Sequence, residues 1–115
     1  MAIDVDERQL FVVCSKNSML LVLDVQTHQV VSTISIGLLS DSVAIDTGLK
    51  RLYGAGGAGQ LTVVSRAADR RYAATETVRT RIGSHTVAVD AQTHKVYLAG
   101  AGIIAAPRIA VFTPR

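Results

Sequence analysis

Three histidines, a single cysteine, nine acids and nine glycines are the groups of this 115-residue chain that could support chemistry. Gly54-Ala-Gly56-Gly-Ala-Gly59 satisfies G-x-G-x-x-G, the spacing of dinucleotide-binding turns. Such a site needs a helix to begin at the glycines, because its N-terminal amides hold the pyrophosphate. Here Gln60-Leu-Thr-Val-Val-Ser65 follows, which reads as a strand. No acid stands about 20 residues on to hold a ribose; Glu76, 17 beyond Gly59, falls inside a further strand. A glycine-rich β-turn is the better reading, and Gly100-Ala-Gly102 recurs at the equivalent turn one unit later. His28, His85 and His94 lack the close spacing of metal ligands. Gln26-Thr-His28 and Gln92-Thr-His94 each follow an aspartate, Asp24 and Asp90, in the Asp-x-x-Thr pattern by which a carboxylate accepts turn amides. Ser84, His85 and Asp90 sit in no G-x-S-x-G elbow, and Cys14 lies in an apolar run, where a lone thiol is a small buried hydrophobe. No catalytic residue, metal ligand or cofactor is assigned, and the chain is expected not to be an enzyme.

Two binding surfaces remain. His85, in Gly83-Ser-His-Thr86, lies in a connection leading into a strand, and Asp41 or Ser42 is its counterpart in the preceding connection. Ser84, His85, Asp41 and Ser42, with residues 56–60, form a candidate ligand or protein site at a loop rim; a solvated loop histidine is the plainer alternative. Arg66, Arg70, Arg71, Arg79 and Arg81 form the second, set against only Asp69 and Glu76 in residues 60–83, and they account for the net charge of +3. These arginines could meet nucleic-acid phosphates, but Tyr72 is the one aromatic among them, so base stacking is not expected. A solvated outer edge, guarded by charge against edge-to-edge pairing, is the competing reading.

The elements that would carry these residues come from an internal repeat. Ala2-Ile-Asp4, Ala44-Ile-Asp46 and Ala88-Val-Asp90 each lead through a polar turn with a basic residue into an apolar strand. The aspartates are 42 and 44 residues apart. A further strand follows each, Leu20–Asp24, Leu61–Ser65 and Ile109–Thr113, and outer strands close the first two units at 30–36 and 75–82. Four short strands in about 40–45 residues is the period of a propeller blade. Val, Ile and Thr supply 33 residues, which suits pleated sheet. Residues 66–74 are the nearest approach to a helix, but they fall where the unit needs an elongated hairpin turn. The fold expected is therefore all-β, a partial β-propeller of consecutive four-stranded antiparallel blades at about 1–37, 42–83 and 86–115, the last incomplete.

Within a unit, the inner strands should be covered on both faces and so read as continuous apolar runs, as Phe11–Cys14 and Leu20–Leu23 do. The outer strand should alternate, with Val78, Thr80 and Ile82 on one face and Thr77, Arg79 and Arg81 on the other.

Composition bounds the rest. With 49% hydrophobic and 18% charged residues the chain is one ordered domain rather than a disordered one. Its longest apolar runs, 10–14 and 19–23, are far short of a bilayer span. The acidic start, Met1-Ala-Ile-Asp-Val-Asp6, does not resemble an export signal.

The units resemble the YVTN-repeat β-propeller family, through Val87-Ala-Val-Asp90, Lys95-Val-Tyr97, Val22-Leu-Asp24 with Thr27, and the closing Gly37 and Gly83. The match runs from Ala2 to Thr113; the proline such repeats often carry before the inner strand is replaced by Asp41-Ser42 and His85-Thr86. The resemblance implies a binding scaffold found outside the cytoplasm or at the cell surface, in rings of about seven blades. A shorter arc leaves an apolar face bare at each end, so the partners expected are other blades, in a longer chain or in copies of itself. A protein or small ligand at the loop face is the further partner expected, ahead of nucleic acid.

Overall fold

The computed structural model describes residues 1–100 and 106–114. They fold as eleven strands in three consecutive antiparallel sheets, with no helix among the described residues. The first sheet runs in chain order through β1 (Ala2–Asp4), β2 (Gln9–Cys14), β3 (Met19–Asp24) and β4 (Val30–Ser35). β5 (Ser40–Asp46), β6 (Arg51–Gly56), β7 (Gln60–Arg66) and β8 (Tyr72–Arg79) make the second. β9 (Ser84–Val89), β10 (Val96–Gly100) and β11 (Arg108–Phe112) make the third. The second half of the Gly100-Ala-Gly102 turn and the chain's last residue lie outside the described residues.

Register makes the repeat a structural fact. Asp4 pairs with Gln9 across the first hairpin, Asp46 with Arg51 across the second, and Val89, just before Asp90, with Val96 across the third. The aspartates therefore stand at matching places in successive sheets, Asp4 and Asp46 closing their first strands and Asp90 one residue past β9.

Two cores hold the sheets together. Phe11, Leu20, Val22 and Ile34 of the first sheet pack against Val43, Leu52, Val64 and Tyr72 of the second. The Phe11 and Tyr72 rings meet edge to face, with centroids 5.2 Å apart. Tyr53, Ala55, Leu61 and Val63 project from the opposite face of the second sheet onto Val87, Val96 and Leu98 of the third. Because strand side chains alternate, one run of β6 serves both cores, Leu52 facing back and Tyr53 forward.

This stacking corrects three expectations. Continuous burial holds in the second sheet, where Leu52–Gly56 and Leu61–Val64 are buried without a break. It fails in β2, where Phe11 alone is fully buried and Cys14 is half-buried, and in β3, where burial alternates over Met19–Leu23, because among the described residues only one face of the first sheet is covered. The elongated turn shrinks to residues 67–71, closed by the Ala67 amide on Arg71 O at 2.8 Å; burial of the Tyr72 ring starts the outer strand there. That strand ends at Arg79, short of residue 82, and Ile82, expected on the strand face of Val78 and Thr80, is 80% exposed.

Candidate functional site

Each repeat aspartate ties its own turn and, in two cases, the next sheet. Asp4 Oδ1 accepts from the Glu7 amide at 3.1 Å, Asp46 Oδ1 from Gly48 and Leu49 at 3.0 Å each, and Asp90 Oδ1 from Gln92 at 3.0 Å. Asp24 holds the Gln26 and Thr27 amides in the same way, at 2.7 and 3.0 Å. Four residues after the repeat aspartates stand Arg8, Lys50 and His94, all left-handed, with φ of 53°, 52° and 62°. Two of these side chains reach back one sheet: Lys50 Nζ donates to Asp4 Oδ2 at 2.8 Å, and His94 Nδ1 lies 2.7 Å from Asp46 Oδ2. Sequence reading noted a basic residue in every turn but missed this use; the shared offset from the aspartate was the available signal.

The rim is built where sheets connect. The Ser40 hydroxyl donates to Gly37 O at 2.6 Å, and the Gly57 amide to Leu39 O at 3.1 Å. The Gly83 amide donates to Gly57 O at 2.8 Å, so the links into β5 and β9 rest on one glycine turn between β6 and β7. Gly59 needs its left-handed φ of 104° there, and strand β7 follows directly, which leaves no helix terminus for a dinucleotide. Ser84 pairs with Gly100 as Ser40 pairs with Gly56, so the register counterpart of His85 is Asp41 rather than Ser42.

These four candidates divide into two roles. Asp41 and His85, expected in the connections, instead stand second in β5 and β9, because pairing with β6 and β10 already begins at Ser40 and Ser84. His85 Nδ1 lies 3.6 Å from Asp41 Oδ2, with the side chains 46% and 52% exposed, and Leu38 and Leu39 stand exposed in the link just before β5. Ser42 Oγ instead accepts the Val87 amide at 3.2 Å, joining the second and third sheets. Ser84 is buried, and a methyl group at Gly100 would come within 2.9 Å of its Oγ. Both serines are thus packing groups.

The arginines separate in a similar way. Arg66 Nη1 lies 3.1 Å from Glu7 Oε1, and Arg70 also pairs with Glu7, so these two close the seam between the first and second sheets beside Lys50. The Arg71 amide donates to Asp69 in the hairpin turn. Arg79 and Arg81 are exposed at the far end of β8, roughly 25 Å away at the rise of an extended strand. The cluster is therefore two groups, and in the first Arg66 and Arg70 are already paired with Glu7.

The seam sets an acid limit on stability. Burial pushes the Asp4 carboxyl up, but the hydrogen bonds from Lys50 and the Glu7 amide outweigh it and hold the group below its ordinary 3.8. Arg66 and then Arg70 hold Glu7 below its ordinary 4.5. A carboxyl depressed on folding contributes stability above its unfolded value and loses it as pH falls through the folded one. Thermal unfolding midpoints should therefore be level above pH 4.5 and fall progressively below it, with a shallower fall in Glu7→Gln. A midpoint that stays constant down to about pH 2 would contradict this.

A cavity of about 330 Å³ opens between the second and third sheets, with Arg51, Tyr53 and Glu76 among its polar lining and Phe112 and Pro114 on the other wall. Burial raises the Tyr53 hydroxyl, and Arg51 moderates the rise. Among the described residues no three His, Cys, Asp or Glu side chains gather as a metal site, and no helix is long and apolar enough to cross a membrane.

All-β architecture of this kind is found in solved structures. A chain of Kuenenia stuttgartiensis hydrazine synthase superposes with a TM-score of 0.85 over 97% of this chain, at 15% sequence identity. The present chain spans 31% of that chain's length, and at this identity the likeness is one of fold. No family model and no curated protein matches the sequence.

Proposed function

We propose that the chain is a non-enzymatic interaction scaffold of YVTN-like propeller blades, an arc of a larger ring that presents its loop rim to a protein partner. The observation that carries this reading is the rim itself. Asp41 and His85, at the same register position in neighbouring sheets, stand half-exposed beside exposed Leu38 and Leu39, while Ser40, Ser42 and Ser84 are spent on internal packing. Apolar side chains next to an orienting polar pair suit a peptide or protein surface. The separated arginines give less support to the nucleic-acid alternative, since Arg66 and Arg70 are already paired with Glu7.

Selection of a random peptide library on the immobilised chain tests the reading. Enriched peptides should lose about tenfold or more in affinity against Leu38→Ser/Leu39→Ser and against Asp41→Ala/His85→Ala. Arg79→Gln/Arg81→Gln should leave peptide binding unchanged. Peptides that bind all variants equally would refute the rim. Salt-sensitive DNA binding lost only in the arginine variant would favour the alternative.

A further inference from the structure

We propose that a second copy of this chain docks head to tail, the outer face of its first sheet covering the outer face of the third sheet, with the partner's Arg8 reaching the Asp90 carboxylate. The proposal rests on reading the sheets as propeller-type blades and names what covers the ends of the arc. The argument begins with the two internal seams. Lys50 reaches Asp4, and His94 reaches Asp46; in both, a left-handed turn residue four positions after one repeat aspartate contacts the aspartate one sheet earlier. Arg8 opens that series and Asp90 closes it.

Each end of the series is ready for a partner. Arg8 is exposed, and among the described residues its guanidinium holds only a 3.3 Å contact to Gln26 Oε1, which it can exchange. Asp90 Oδ2 accepts one bond, from Thr93 Oγ1 at 2.8 Å, and a carboxylate oxygen has room for a second. The charges are complementary, as those of Lys50 and Asp4 are at the first internal seam.

The apolar faces match in the same register. Tyr97 is the counterpart of Tyr53: each pairs with the alanine of its inner strand, Ala88 or Ala44. Tyr53 is buried under the third sheet, whereas Tyr97 is 37% exposed with Ile109 and Val111 bare beside it. At the other end Ile3 is exposed, although its counterpart Ile45 packs into the first core. Each face bared at an end is thus covered at an internal seam. A contact between two different faces is heterologous, and two copies of three sheets each give six units, within the four to eight of closed rings.

Sedimentation equilibrium and light scattering of the full chain over a concentration series test the proposal, using wild type, Arg8→Asp, Asp90→Arg and the double exchange. Wild type should show twice the chain mass at high concentration. Each single reversal should weaken association about tenfold or more, and the double exchange should restore most of it. Asp90 also anchors its own turn, so Arg8→Asp, which alters an exposed side chain, carries the test should Asp90→Arg fold poorly. A single-chain mass throughout, an open-ended polymer, or a dimer indifferent to Arg8→Asp would each overturn the proposal. Peptide binding at Asp41 and His85 is measured separately, so the scaffold reading can stand or fall without it.

Discussion

Phe11→Ala should destabilise the folded chain by about 3–5 kcal/mol, read as a shift in the denaturant midpoint with far-ultraviolet circular dichroism. Phe11 is fully buried at the centre of the first core, and its ring meets Tyr72 of the neighbouring sheet. Truncation removes the ring's transfer energy, leaves a cavity and takes away the aromatic partner at once. A domain of this size has only about 5–15 kcal/mol in total. Tyr72→Ala should cost less than Phe11→Ala, because it truncates a residue of the outer strand. The two losses should add to more than the double variant costs, since either change removes the ring contact. Full additivity would mean that the first two sheets are not stacked through these rings.

Asp46→Ala should be nearly as damaging, about 3 kcal/mol or more, although it removes only a small polar side chain. Asp46 is fully buried and holds the Gly48 and Leu49 amides on one oxygen and His94 on the other. Its loss strands two turn amides and breaks the tie to the third sheet in one step. His94→Ala removes only the second of these, from a side chain about one-third exposed, and should cost about 1 kcal/mol. The gap between the two variants measures how much of the aspartate's role is local. Equal effects would show that the turn amides find water readily and that only the contact between sheets matters.

The repeat was legible because it is written in local pattern. Small-apolar-aspartate triplets, apolar hairpins and glycine turns declare themselves within a dozen residues, and the three sheets follow. What covers each strand is not local. Phe11–Cys14 and Leu52–Gly56 both read as apolar or small-residue runs, yet only the latter is buried throughout, because cover comes from sheets whose residues lie tens of positions away. The same holds for the site. The pattern of the links into the inner strands points to Asp41 and His85, and the fold brings them to 3.6 Å; of Ser42 and Ser84, equally plausible by type, the first bonds the Val87 amide and the second is buried against Gly100. Glu7 drew no attention in sequence, since its partners Arg66 and Arg70 are about sixty residues distant. Tyr72 moved the start of β8 for a similar reason: its ring is held by Phe11 of another sheet.

Nuclear Overhauser contacts in the labelled full chain go straight to whether one module, copied along the sequence, lies face to face with its neighbours. Cross-peaks are expected between the Phe11 and Tyr72 rings and between the Val87 amide and the Ser42 β-protons, one for each internal seam. Strand-to-strand contacts within each hairpin but neither of these cross-peaks would mean three sheets that do not stack, and would contradict the account.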